Sequence, residues 1–146
     1  MIQGHSWSDW LEVGDADLDN DHHLQMRLAS SLVDAIEEGR PWLAHRLADH
    51  LRAGSSVHFQ EEERRMRAVG YPERLEHVRE HDTLLARMEE IVDAVAAEDD
   101  ARAVAAVIDL RSMLAAHIGK SDREVVAFER SAGSAKSDDG LVIPAS

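Results

Sequence analysis

The chain has 146 residues, a formal net charge of −13 and no cysteine. This length is typical of one domain that buries a sizeable core without cross-links. The lack of cysteine excludes disulfides and thiolate metal sites. The acidic balance argues against nucleic acid and anionic membranes as partners, because both attract clustered Lys and Arg. The opening MIQGHSWSDW shows no secretory signal and no apolar run could span a membrane, so we expect a cytoplasmic protein.

Apolar residues recur at steps of three and four along four segments, which predicts four helices. The first covers about 18–38, with Asp19 or Asn20 as its cap, and the second covers about 41–69. The third follows the Gly-Tyr-Pro turn and ends near 97. The fourth begins after the cap at 99–100 and ends near 130. Short connections make consecutive helices antiparallel, so the predicted fold is all-α, an up-down-up-down four-helix bundle.

The chain divides into two parts on this pattern. Residues 1–130 form the predicted bundle domain. Residues 131–146 are rich in Ser, Ala, Gly and Asp and show no helical period, which is typical of a flexible C-terminal tail.

Five histidines and two carboxylates lie on the predicted inward faces of these helices. They are His22, His58, Glu62, His77, His81, His117 and Asp122. Imidazole and carboxylate donors together suit iron, zinc or manganese. A single pair at helical spacing is more often a surface contact, but a carboxylate on a core stripe is costly unless it is paired or binds metal. Read together, the seven residues predict a site for two metal ions.

The spacing of the candidate ligands places most of them directly. His58 and Glu62 are four residues apart, so both project from one face of the second helix. His117 and Asp122 are five apart, which is about 140° on an ideal helix. Both can reach one site only if the helix widens or breaks between them, and Gly119 is the predicted place.

The remaining histidines are not predicted to bind metal. His23 and His45 align with charged residues on solvent-facing stripes, and His5 precedes the bundle. His50 lies at the boundary of the second helix's apolar stripe. Adjacent His22 and His23 therefore test the helical phase, because only His22 should face the core.

The order of these residues resembles the hemerythrin family in its single-domain bacterial form. The matching stretches are LDNDHH (18–23), HFQEEE (58–63), YP (71–72), HVREH (77–81) and HIGKSD (117–122), with WLEVGDADLD (10–19) as the lead-in. The resemblance covers about residues 7–130. It depends on seven ligand positions that all carry the expected residue type.

The resemblance implies a non-heme centre of two iron ions bridged by an oxo or hydroxo group. In that arrangement one iron is held by three histidines, His77, His81 and His117. The other iron is held by two histidines, His22 and His58. Two carboxylates bridge the irons, and these are Glu62 and Asp122. The second iron would keep an open position for O₂. The implied function is reversible O₂ binding. The resemblance thus implies an oxygen carrier, storage or delivery protein and not an enzyme.

Two other classes of function stay open on the sequence. One is a di-iron oxidoreductase that acts on peroxide or nitric oxide, although ferritin-like oxidases use carboxylate-rich sites and this set is rich in histidine. The other is a sensor of oxygen, redox state or iron, for which we would expect an appended output domain. The sequence indicates no particular protein partner.

Two positions depart from the family's usual residues. Met113 stands where tryptophan is common, and Gln25 stands where an apolar residue is usual. Phe59, Leu114, Ile118 and Met26 are the other residues predicted to line the oxygen pocket, with Met113 and Gln25. Gln25 lies three residues from His22, a spacing that allows its side chain to tilt outward as a surface residue or inward toward the site. Our hypothesis is that the amide points inward, where it would offer water a route to the site.

Overall fold

A computed structural model describes the backbone of residues 12–142 and the side chains of residues 12–133. Its helices are α1 (Ala16–Glu37), α2 (Pro41–Val69), α3 (Arg74–Ala96), α4 (Asp100–Ala116), a π-helical segment (His117–Asp122) and α5 (Arg123–Val142). The last three follow one another without a break and form the fourth helix of the bundle. The described residues contain no strand, so the predicted all-α fold is confirmed.

Contacts between neighbouring helices run in opposite residue order. On α1 and α2, Asp21 meets His58 whereas Gln25 meets Ser55, so one number rises as the other falls. The same reversal holds for α2 with α3 and for α3 with the fourth helix. Helix α1 also packs against α4, which closes the ring. The predicted up-down-up-down order is therefore confirmed.

Glycine ends the first two helices. Gly39 and Gly70 have φ values of 69° and 66°, in the left-handed region that side chains with a Cβ disfavour. After Gly70, the Tyr71 N–H donates back to the Met66 carbonyl at 2.9 Å, which satisfies a carbonyl left free at the helix end. These short reversals let each helix return directly along its predecessor.

The start of α1 differs from the prediction. Asp15 is the cap, and its carboxylate accepts a hydrogen bond from the Leu18 N–H at 3.1 Å. Capping by Asp19 or Asn20 is therefore wrong. Asp19 instead accepts from the Val13 N–H at 2.7 Å, which ties the incoming chain to the first turn of the helix.

The core stripe of α2 also differs at one position. The apolar pattern of the second helix predicts an inner face that runs from Leu51 through Gly54 to His58. Gly54 is exposed instead, and Ser55 lies on the stripe with 1 % of its surface exposed. The stripe proceeds from Leu51 to Ser55 to His58, with steps of four and three that keep it on one face. A polar side chain therefore lies in the core one turn before a candidate ligand.

The fourth helix continues to Val142, so its predicted end near residue 130 is wrong. Before that point, Arg65 connects the fourth helix to the start of the bundle, because its guanidinium donates to Glu129 at 2.6 Å and to Asp15 at 2.9 Å. Residues 1–11 and 143–146 lie outside the described part, and with them His5 and the start of the lead-in. The flexibility of 131–146 stays a prediction. None of the described helices is both long and apolar enough to cross a membrane.

Candidate metal centre

All seven predicted site residues meet in one layer of the bundle. None has more than 6 % of its surface exposed, although every one carries a titratable group. Buried ionisable groups are costly unless they are paired or coordinate a metal. The structure therefore brings together the whole predicted set and leaves none of it outside.

The fourth helix presents two of these residues because it is widened. His117 and Asp122 are the first and last residues of the π-helical segment, and the His117 Nε2 lies 2.9 Å from the Asp122 Oδ1. A π turn holds one more residue than an α turn, so residues five apart reach the same face. The predicted widening is confirmed. A Cβ on Gly119 would meet no atom within 4 Å, so steric crowding does not require glycine there.

The Asp122 carboxylate faces two groups of histidines. Its Oδ1 lies 2.9 Å from the Nε2 atoms of His77 and His117. Its Oδ2 lies 3.0 Å from the Nε2 of His22. The carboxylate therefore stands between the two groups, with one oxygen toward each.

The Glu62 carboxylate repeats this arrangement. Its Oε1 lies 2.9 Å from the His81 Nε2, and its Oε2 lies 2.9 Å from the His58 Nε2. We call His77, His81 and His117 the three-histidine side, and His22 and His58 the two-histidine side. Each side has its own imidazoles and one oxygen from each carboxylate.

The donor atoms converge without pairing. Four Nε2 atoms and both Asp122 oxygens have no hydrogen-bond partner, although oppositely charged neighbours lie about 3 Å away. Their lone pairs and protons aim at shared points and not at one another. Donors around an ion with bonds of about 2.1 Å are spaced by about 3 Å. The arrangement therefore fits metal ions, and two groups of donors that share Glu62 are each close enough to hold one.

The electrostatics of the centre also suit cations. Burial alone would lower the pKa of His22, but hydrogen bonds and charges from Asp122 and Glu62 outweigh it and raise the pKa to about 9. His77 behaves in the same way, with a pKa raised to about 9. Burial would raise the pKa of Glu62, yet four facing imidazoles hold it well below its usual value. Without metal, protons on the imidazoles neutralise the carboxylates, and a metal cation would replace those protons.

Three further carboxylates hold the outer nitrogen of a site histidine. Each accepts from an Nδ1 on the next helix, and the pairs are Asp21–His58 at 2.9 Å, Glu63–His81 at 2.7 Å and Glu80–His117 at 2.7 Å. Such contacts fix the tautomer whose Nε2 lone pair is free for a metal, and they raise the basicity of the imidazole. Ser121 donates to Glu80 at 2.6 Å and so restrains the last of the three.

The sequence reasoning missed these outer carboxylates. A signal was present, because each is adjacent in sequence to a site residue on its own helix: Asp21 to His22, Glu63 to Glu62 and Glu80 to His81. A neighbour on a helix is rotated by about 100°, so it reaches sideways to the adjacent helix. Recognising this needed the order of helices around the bundle, which the pattern of one helix does not contain.

Apolar side chains enclose the rest of the centre. Phe59 stacks on His81 with ring centroids 4.0 Å apart, and Leu114 and Ile118 are fully buried. Met113 is half-buried and lines a groove beside Glu80 on the three-histidine side. This lining keeps bulk water from the inner donor atoms.

The Gln25 side chain is buried, with 4 % of its surface exposed, so the expected inward orientation is confirmed. Its Nε2 donates to the Ser55 Oγ at 2.9 Å. The helical phase is also confirmed, because the His22 side chain is 0 % exposed and that of His23 is 28 % exposed. His45 and His50 are exposed.

Comparison with known proteins agrees with this architecture. Residues 13–128 match the family model described as the Hemerythrin HHE cation binding domain. The chain is 31 % identical over 122 residues to a protein of Ralstonia nicotianae named Bacteriohemerythrin, which covers 84 % of this chain and 86 % of that protein. No solved structure matches the chain.

Proposed function

Because the chain belongs to the hemerythrin family, we propose that it binds O₂ reversibly at a pair of iron ions and so carries, stores or delivers oxygen. Five histidines and two carboxylates are the proposed ligands. They are His22, His58, Glu62, His77, His81, His117 and Asp122. The proposal extends the family's cation binding to a particular metal, number and ligand.

One observation carries the proposal: both carboxylates turn one oxygen to each side. Asp122 and Glu62 each lie within about 3 Å of imidazoles on the three-histidine side and on the two-histidine side. A carboxylate that served a single ion would direct its oxygens to one group of donors. Two such carboxylates in the same layer are the geometry expected of bridges between a pair of ions.

The two sides differ in how many donors they supply. With one oxygen from each carboxylate, the three-histidine side offers five protein donors and the two-histidine side offers four. An ion on the two-histidine side is therefore the less saturated one. We assign the exogenous ligand to that side for this reason.

Iron fits this donor set, because mixed imidazole and carboxylate ligands with an open position favour iron–oxygen chemistry. When bound, the iron pair supplies the two electrons and the open position that reversible O₂ binding needs. The chain's own part is to hold the imidazoles by their outer nitrogens through Asp21, Glu63 and Glu80. Phe59 and the buried aliphatic residues exclude bulk water from the donors.

Binding is favoured over turnover by what surrounds the ligands. Among residues 12–133, the buried polar side chains other than the seven ligands are Gln25, Ser55 and Ser121, and all are uncharged. None is a general acid or base at neutral pH. An enzyme that reduces peroxide or nitric oxide would need a positioned proton donor, so a carrier is the better-supported function.

Absorption spectroscopy of the iron-loaded protein tests the proposal. The reduced protein, prepared without air, should gain a visible band on exposure to O₂ and lose it again when O₂ is removed. Metal analysis of the same sample should find about two iron ions per chain. The His23→Ala variant should behave like the wild type, because His23 lies outside the site.

Other outcomes would point elsewhere. Tightly held zinc with no iron would contradict the di-iron centre. Irreversible oxidation without a reversible band, accompanied by steady consumption of peroxide or nitric oxide, would replace the carrier with an oxidoreductase. A reversible band whose appearance changes binding to a second protein would favour a sensor.

A further inference from the structure

A buried amide and hydroxyl lie one helical turn from the two-histidine side. Gln25 follows His22 by three residues on α1, and Ser55 precedes His58 by three on the antiparallel α2. At 1.5 Å per residue, each is displaced about 4.5 Å along the bundle, and in the same direction. Glu62 follows His58 and is displaced the other way. The Gln25–Ser55 pair therefore lies one helical turn from the two histidines, on the side opposite to Glu62.

The amide of this pair is only partly satisfied. Its Nε2 donates to the Ser55 Oγ, while its Oε1 is buried and has no hydrogen-bond partner. Turning the amide over would exchange donor and acceptor, but one of its two polar atoms would still be free. A buried polar atom without a hydrogen-bond partner destabilises the folded state. The hydrogen bond to Ser55 therefore does not by itself explain why a polar side chain is buried at position 25.

A cavity of about 250 Å³ between α1 and α2 leads to this pair. Its outer lining includes exposed Asp21 and Gly54, and its inner lining includes Gln25, Ser55 and the His58 ring. A Cβ on Gly54 would meet no atom within 4 Å, so there is room for a side chain at this position of the lining. The cavity therefore joins the surface to the polar pair and to one imidazole of the two-histidine side.

We infer that this cavity is the route by which water and small hydrogen-bonding molecules reach the metal centre, with the Gln25 amide as a binding subsite at its inner end. The inference rests on the proposed function, since it concerns access to the less saturated ion. The amide lines the same cavity as the His58 ring, so it can hold a small molecule by a hydrogen bond at the inner end of the route. Leucine or another apolar residue at position 25 would leave this side dry.

Two variants separate the subsite from the route. Azide accepts hydrogen bonds and has no proton to give, so it is held by an amide N–H, either the second N–H of the Gln25 Nε2 or the Nε2 of an amide turned over to accept from Ser55. Gln25→Leu removes this donor at similar volume, so it should weaken equilibrium binding of azide by about three- to tenfold, the worth of one hydrogen bond. Gly54→Leu places a side chain in the cavity, and leucine has a higher helix propensity than glycine. It should slow association and dissociation together and leave the dissociation constant unchanged. Gly54→Ala, which adds only a methyl group, is the matched control.

The experiment uses azide as the probe on the oxidised, iron-loaded protein, followed by stopped-flow absorption. Autoxidation of the oxygenated protein is measured in parallel, and it should be slower in Gln25→Leu because less water reaches the site. Melting of the metal-free proteins gives a readout without iron. A subsite predicts that Gln25→Leu melts no lower than the wild type, whereas a purely structural amide predicts a lower melting temperature.

The outcomes also separate this inference from the proposed function. Wild-type protein that binds iron and azide, with rates and affinities unchanged in Gln25→Leu and Gly54→Leu, would overturn the inference and leave the di-iron centre intact. Wild-type protein that takes up no iron would overturn both. If Gln25→Leu does not fold, Ser55→Ala replaces it, and altered azide affinity is again the expected result.

Discussion

The two sides of the metal centre use the same residue types but hold them differently. On the three-histidine side, Glu63 and Glu80 each accept from an outer imidazole nitrogen at 2.7 Å. Phe59 stacks flat against His81. Two of the three imidazoles are therefore fixed at the nitrogen remote from the centre, and one is also held across its ring plane.

The two-histidine side is held less firmly. His58 is bonded to Asp21, whose side chain is 50 % exposed, and the Nδ1 of fully buried His22 has no hydrogen-bond partner. The cavity and the half-satisfied Gln25 amide also lie on this side. One side of a shared site is thus held by more hydrogen bonds and ring contacts than the other.

The difference has a simple origin in the helices. The three-histidine side takes two imidazoles from consecutive turns of α3 and one from the π-helical segment, so its donors share rigid backbone. The two-histidine side takes one imidazole from α1 and one from α2, and only packing between the helices sets their separation. The same types of donor are therefore held by shared backbone on one side and only by helix packing on the other.

The largest effect should come from removing a group that both sides share. Glu62→Ala deletes one oxygen from each side, and it leaves four buried imidazoles without the carboxylate they face. We expect nearly complete loss of bound metal in metal analysis, with the helical circular dichroism retained. Glu61→Ala is the matched control, because Glu61 directly precedes Glu62 and its own side chain is 58 % exposed. If Glu62→Ala retained as much metal as the wild type, the two sides would bind metal without depending on this shared carboxylate.

The next effect should fall on one side only. His22→Ala removes one of the two imidazoles on the two-histidine side, so bound metal should fall to about half and O₂ or azide binding should be lost. The three-histidine side should keep its ion. His23→Ala, which alters the next residue on the solvent side, should leave metal content unchanged. Equal loss from both sides in His22→Ala would remove the distinction drawn between them.

The comparison also shows which features the sequence could predict. The seven candidate ligands follow from helical spacing, because residues three or four apart share a face and only His117 with Asp122 breaks that rule. That single exception predicted a widened helix, and the π-helical segment confirms it. Periodicity within one helix was therefore sufficient for the fold and for the inner donors.

Features that depend on two helices at once were not predictable in the same way. The outer carboxylates reach a histidine on the next helix, and Ser55 enters the core beside Gln25 because of how α1 and α2 meet. Single-helix patterns also misjudged the cap of α1 and the end of the fourth helix. Asp15 competes with Asp19 for the same role, and weak periodicity after residue 130 gave no sign of further helix.

A smaller effect is expected from the outer carboxylates, and it should differ between the sides. Loss of such a group typically lowers metal affinity by about 10- to 100-fold. Glu80→Ala should reach this range, because it frees both His117 and Ser121. Asp21→Ala should cost less than about tenfold, because Asp21 accepts from one side chain of the site, His58, whereas Glu80 accepts from two. Competition with a chelator measures both, and equal losses would contradict the difference in restraint.

The smallest effect should be common to both sides, because it depends on the carboxylates they share. In the metal-free protein the pKa values of His22 and His77, one from each side, are raised to about 9 from an unfolded value of about 6.5. A raised pKa contributes stability that is complete below about pH 6.5 and is lost as pH rises through about 9. The melting temperature of the metal-free protein should therefore fall by several degrees between these values.

The metal-loaded protein should show no such fall, because its imidazoles carry metal and not protons. Differential scanning calorimetry of both forms makes the comparison, and NMR of the metal-free histidines should find the two sides titrating together. Titration of only one side would show that Glu62 and Asp122 do not face both groups equally.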